Sequence, residues 1–263
     1  MSALSPLSLR IQQGVPDGAR SLIWRSFFLE AGRGTTFEQH LPWYCDSDTR
    51  SVMVLDAGAV VATAIIRPAP QAGVAMVGYV CVDQSRRGHG LGRMLMEALN
   101  ASVDDQHFQA ALLWTSKPEV YVGRGYATIQ RDRFVHVKRG TGAAPSRDSI
   151  HVEDWPALGT ANGLPAFATS ATRYSSDQAT AVCAKGPRGV TLLDWNGEAV
   201  AVADLLHAAG HEEWSVNLMG ADPFAYVLSI HRYRISEVPG AFTMARCQDM
   251  AFVPQDVPTI YRI

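Results

Sequence analysis

Apolar and polar residues alternate from Ser8 to Gln12, the period of a short strand. From Pro16 to Glu30, Leu22, Ile23, Phe27 and Phe28 recur among charged positions at the spacing of one helix face. Thr36 to Trp43 reads as a second helix or a loop. Val52 to Leu55 and Val60 to Ile66 are β-rich runs split by Asp56-Ala57-Gly58, a hairpin-like break. Val74 to Asp83 predicts a long fourth strand. Leu91, Met94, Leu95, Ala98 and Leu99 return to helical spacing. A strand over Ala110 to Trp114 and a short helix over Pro118 to Gly123 come next, then a closing β pair over Tyr126 to Lys138. Strands and helices in this order predict an α/β architecture, a mixed central sheet with helices on both faces.

The pattern stops at Arg139 to Ser149, where small, polar and turn-forming residues mark a linker. The second half of the chain repeats the first. Leu112 to Arg139 can be laid on Val216 to Arg246. Pro118 stands three residues before Tyr121, as Pro223 stands before Tyr226. The same interval of thirteen separates Tyr126 from Arg139 and Tyr233 from Arg246. Val190 to Trp195 and Ala199 to Ala208 reproduce strand then helix. The chain therefore divides by sequence into a first domain over 1–139, a linker over 140–150 and a diverged second copy over 151–263.

Between the fourth strand and its helix lies Arg86-Arg87-Gly88-His89-Gly90-Leu91-Gly92-Arg93. Glycines let the main chain approach a ligand and take angles closed to other residues. The first amides of a helix have no partners inside it and, with the helix dipole, hold phosphate. The neighbouring arginines add charge-assisted donors. The spacing rejects two better-known loops. A P-loop requires Gly-Lys-Ser/Thr, and no lysine follows these glycines. A dinucleotide fingerprint requires a third glycine where Arg93 stands.

Arg87-x-x-Gly90-x-Gly92 resembles the acyl-CoA pyrophosphate loop of the GNAT N-acetyltransferase superfamily, Gln/Arg-x-x-Gly-x-Gly/Ala. Val80-Cys81-Val82-Asp83 is similar to the end of that family's fourth strand. Tyr121 to Tyr126 resembles its Tyr-x-x-x-Gly-Phe/Tyr signature. The resemblance covers roughly residues 7 to 139 and implies a GNAT fold followed by a partial second GNAT-like domain. It implies acetyl transfer from acetyl-CoA to a primary amine, carried by a small molecule or a peptide. It places the pyrophosphate on the main chain of Gly88, His89, Gly90, Leu91, Gly92 and Arg93, with Arg87 beside it. The main chain of Cys81 and Val82 is expected at the pantetheine arm and thioester. Tyr121 is the expected general acid for the departing thiolate. Tyr126 and Tyr226 read as structural. No carboxylate lies on the fourth strand, and Glu30, His40, Asp46 and Asp83 read as surface or turn residues and not as the base. Trp24, Phe37, Trp43 and Tyr44 read as core, or as an aromatic acceptor pocket. In the second copy, Asn196-Gly197-Glu198-Ala199 replaces the glycine loop, so that domain is expected to hold no acyl-CoA and to cover the acceptor cleft or form a homodimer contact.

Composition narrows the classes further. The hydrophobic fraction of 47% suits packed cores. A net charge of −2 lacks the basic footprint of a nucleic-acid binder. No apolar run approaches the length of a membrane span, and Met1 to Val15 lacks the apolar core of a secretory signal. Cys45, Cys81, Cys183 and Cys247 form no Cys-x-x-Cys pair, and the histidines show no ligand spacing, which argues against zinc or a disulfide framework. Reduced cysteines predict a cytoplasmic protein.

Overall fold

A computed structural model describes residues 7–29, 32, 35–140, 150–155, 163–231, 233–249, 251–255 and 257–263. In chain order the first half gives β1 (Ser8–Gln13), α1 (Asp17–Trp24), α2 (Phe37–His40), β2 (Arg50–Asp56), β3 (Ala59–Pro68), β4 (Val74–Val82), α3 (Leu91–Asp105), β5 (Ala110–Thr115), α4 (Glu119–Val122) and β6 (Ala127–Arg139). The second gives β7 (His151–Trp155), β8 (Ser170–Ser175), β9 (Thr180–Gly186), β10 (Gly189–Asn196), α5 (Ala199–Ala208), β11 (Glu213–Leu218), α6 (Phe224–Ile230) and β12 (Tyr233–Cys247). Two local readings change. The helix expected over 16–30 is α1 continued by a π-helical turn, Arg25–Leu29, and Glu30 lies outside the described residues. The expected closing β pair is the single strand β6.

The chain packs as two units, and they are not successive stretches of sequence. The first comprises 1–129, 243–257 and 261–263; the second comprises 130–242 and 258–260. In the first unit β1 to β4 form an antiparallel meander, with Ile11 opposite Val52, Val54 opposite Ala62 and Ile66 opposite Val77. Helix α3 crosses over to bring β5 parallel to β4. The next strand beside β5 is the tail of β12, from the second copy. The second unit is ordered β12, β6, β11, β10, β9, β8, β7, with β6 antiparallel to β11 and α5 bringing β11 parallel to β10. Strand β6, from the first half of the chain, thus lies mostly in the second unit, and the tail of β12 lies in the first. The expected boundary at 139/140 rests on the composition of residues 139–149 and not on packing. The contacts divide inside β6 and β12 instead, and 141–149 of the linker lie outside the described residues.

Successive residues of a strand face opposite sides. Cys81 faces Ser26 of the π-helical turn, and Val82 lies beside Gly92 of α3, so the α1 segment and α3 cover opposite faces of the first sheet. Helix α1 buries Ala19, Leu22 and Ile23; α3 buries Leu91, Leu95, Met96, Leu99 and Val103. Each of the larger side chains contributes about 1.5–3 kcal/mol. These two layers fix β4 and its following loop, where the expected site lies. In the second unit α5 and α6 cover one face through Val202, Leu205, Leu206, Phe224 and Leu228.

Candidate active site

Strand β4 breaks its ladder twice. Against β3, Thr63 pairs with Cys81 but Ile65 with Gly78, so one residue of β3 opposes two of β4, a bulge. Inside it Tyr79 has φ 50°, a left-handed angle that costs a non-glycine residue about 1–3 kcal/mol. Its ring is held edge-on to Phe27 at 5.3 Å and near Trp43 at 6.2 Å. Against β5, the ladder runs from Val74–Ala110 to Met76–Leu112 and stops, although both strands continue. Beyond Met76, no strand pairing with β5 is present among the described residues, and a strand edge without a ladder partner is one that an extended ligand can pair with. Gly78 is packed from elsewhere: a Cβ there would come within 2.5 Å of main-chain atoms of Ile263.

The loop after β4 is built by short-range bonds. Asp83 accepts from the Ser85 amide at 3.0 Å and hydroxyl at 2.7 Å, and these bonds hold its carboxyl below the usual range. Gly88 and Gly90 both have left-handed φ, +82° and +78°, and Gly90 caps α3. The first helical donor with an intrahelical acceptor is Met94, bonded to the Gly90 carbonyl at 3.1 Å. The amides of Leu91, Gly92 and Arg93 precede it, so they carry the positive end of a fifteen-residue helix. A Cβ at Gly88 or Gly90 would meet nothing within 4 Å, and the loop from Gln84 to Gly90 is exposed.

Of the charged residues, Arg86 is ion-paired with Asp56 on β2. Arg87 donates its Nε to the Val82 carbonyl at 3.3 Å, which keeps its guanidinium beside the loop. Arg93 turns along the helix to Glu97 at 2.7 Å. The ring Nδ1 of His89 lies 3.3 and 2.9 Å from the carbonyls of Arg86 and Arg87, folding the loop on itself. The structure thus gathers Arg87 to Arg93 at one helix end, next to Cys81 and Val82.

Cys81 is buried, and burial pushes its thiol up to about 12 against a lowering bond from Ser26. It is held as a neutral thiol, so it supplies no thiolate nucleophile at neutral pH. Tyr121, on α4, is half-buried, and burial raises its phenol above the ordinary value; it is protonated through the neutral range and can donate a proton. Tyr126 stands edge-on to it at 6.2 Å and is core, its hydroxyl donating to Asn100 of α3 at 3.3 Å. His40, expected at the surface, is buried: its ring lies 4.7 Å from Phe28, and Nε2 accepts from the Thr35 amide at 3.1 Å. Hydrophobic neighbours overrode its polarity. Asp46 is exposed and 3.5 Å from Arg67.

Sequence reasoning missed an open cleft of about 530 Å³ lined by Leu22, Arg25, Ser26, Asp83, Gln84 and Ser85. Arg25 lies 3.4 Å from Asp83 across it. No periodicity announces a π-helical turn, which rotates Ser26 toward Cys81. The close approach of Ile263 did leave a trace, because a glycine inside an apolar strand marks such a contact.

Residues 17–127 match the model of the acetyltransferase (GNAT) family. Over that stretch, a little under half of its length, the chain is similar to that family. The fold likeness extends further than the matched residues. A GCN5-related N-acetyltransferase from Kribbella flavida superposes with a TM-score of 0.60 at 16% identity, over 92% of this chain and 72% of that one. A GCN5-related N-acetyltransferase from Anabaena variabilis gives 0.63 at 12% identity, over 92% and 73%. Eis1 from Mycobacterium abscessus gives 0.58 at 13%, over 93% and 74%. Likeness at these identities speaks for the fold alone. With the match over residues 17–127, it gives this protein a GNAT fold, that of acyl-CoA N-acyltransferases.

Proposed function

We propose that this GNAT protein transfers an acetyl group from acetyl-CoA to a primary amine of a small molecule or peptide, by direct attack in a ternary complex. The observation that carries the reading is the row of unpartnered amides at Leu91, Gly92 and Arg93 behind two left-handed glycines. The row lies at the end of a strand whose pairing with β5 stops at Met76 among the described residues. The diphosphate binds this row and the Arg87 guanidinium, and the pantetheine arm extends along β4. Main-chain amides near Cys81 and Val82 polarise the thioester carbonyl as charge builds on its oxygen. Holding amine and thioester together supplies much of the rate. Tyr121 protonates the departing thiolate.

The acyl-CoA work belongs to the first copy, residues 1–139. The second, 151–263, is a degenerate GNAT-like domain, and the protein works in the cytosol with its cysteines reduced. An amine panel monitored by thiol release tests the reading: at least one primary amine should release CoA at a rate that saturates in acetyl-CoA. The absence of an acid on β4 favours a second reading, a regulator that binds acyl-CoA without transferring it. Tight binding by calorimetry with no thiol release on any amine would select that reading, and absence of binding would remove both.

A further inference from the structure

The second unit has an unassigned cavity. Val135 and Val137 of β6, Trp214 and Val216 of β11, and Ile235 of β12 all pack toward α5 and α6. Strand alternation therefore sends their neighbours to the opposite face. The β6–β11 register sets Ser215 opposite His136 and Glu213 opposite Lys138 there, and Arg234 and Ser236 of β12 join them. The β9–β10 hairpin adds Arg188. Together they line a cleft of about 430 Å³, a size typical of small-molecule sites.

Its charge is one-sided. Glu213, the single carboxylate among the described lining residues, is ion-paired with Lys138. Arg188 and Arg234 line the same space and make no ion pair among the described residues, in a chain whose net charge is −2. Arg188 lies over the Phe134 ring at 5.7 Å, and that ring meets His136 edge-on at 5.1 Å, which limits where the guanidinium can point. His136 Nδ1 is 2.9 Å from the Ser215 hydroxyl, leaving Nε2 for a ligand. Gathered cations with hydroxyls between them raise the local concentration of anions, and the arginine fork matches phosphate and carboxylate oxygens.

We propose that this cleft binds a small, multiply charged anion bearing phosphate or carboxylate groups. The site stands apart from the transferase reading and uses none of its residues. The test is calorimetric titration of the full chain with sodium pyrophosphate and, separately, citrate. A Gly90→Val background disables the loop before α3. One saturable site per chain is expected, weakened by higher salt and at least about tenfold by either Arg188→Ala or Arg234→Ala. Tighter pyrophosphate assigns a phosphate ligand, and tighter citrate a carboxylate. Both arginines are exposed, so the variants should melt like their background. No saturable binding of either anion, or the same affinity in the arginine variants, would overturn the site.

Discussion

The N-termini of α3 and α5 both carry a left-handed glycine and are built as opposites. At α3, Gly90 turns left-handed with nothing within 4 Å of its missing side chain, and the space beyond the amides is open. At α5, Gly197 also turns left-handed, φ +113°, but a Cβ there would lie 2.6 Å from the Gln178 carbonyl and 3.1 Å from Ala179. Glu198 holds the N-cap position, with no bond from its side chain to the helix amides. The same residue type serves ligand approach at one and main-chain packing at the other. A glycine before a helix is therefore not a phosphate site until the volume beside it is known.

The comparison breaks most severely if the copies are separated. Removing 151–263 takes away Thr243 to Cys247, the strand beside β5, along with Val257 and Ile263 of the core around Val74, Met76 and Leu112. We expect an insoluble or unfolded product, read by circular dichroism and gel filtration. A soluble first copy with normal acetyl-CoA binding would mean that the strand exchange is dispensable. Next in size, Gly90→Val should weaken acetyl-CoA binding at least about 100-fold, through left-handed strain and loss of several amide–phosphate bonds. Calorimetry reads it, and the same strain should lower the melting temperature by a few degrees. Tyr121→Phe should slow kcat by about 100-fold while the acetyl-CoA Kd stays put. An unchanged kcat removes that phenol from the mechanism. The mirror of the Gly90 experiment is Gly197→Ala. It should cost about 2 kcal/mol of stability, seen as a drop of several degrees in Tm, with acetyl-CoA binding untouched.

Much of the fold and site is legible in residue order. Periodicity locates β4, α3 and β5, and the glycines with their following helix locate the open amide row. The repeat pairs β6 with β12 correctly, because Tyr126 to Arg139 and Tyr233 to Arg246 keep one spacing. Local pattern does not disclose which sheet each of those strands joins. A strand's alternation states which face is apolar and says nothing of its neighbour. His40 departs from its expected exposure for a related reason: its burial is set by Phe28 and Trp24, brought to it by the chain's path and not by its own segment.

The smallest effect concerns what holds the exchanged strand. Arg246, on the tail of β12, makes a two-pronged bond to Asp104 at the end of α3, both contacts 2.7 Å, and Gln248 adds a third at 3.0 Å. The Arg246 guanidinium holds the Asp104 carboxyl below its ordinary value, outweighing the desolvation that would raise it. A carboxyl lowered in the folded state contributes stability that is complete above its unfolded pKa, about 3.9. That stability is lost as pH falls through the folded value. Asp104 is 40% exposed, so solvent screening limits the contribution to about 1 kcal/mol. Asp104→Ala should therefore melt a few degrees below the parent at pH 7, and the gap should narrow as the pH drops below about 4. A gap that stays constant into acid would show that the aspartate acts by packing and not by charge. The exchanged strand would then be held by the apolar contacts of Ala245 and Cys247 with Val74 and Met76.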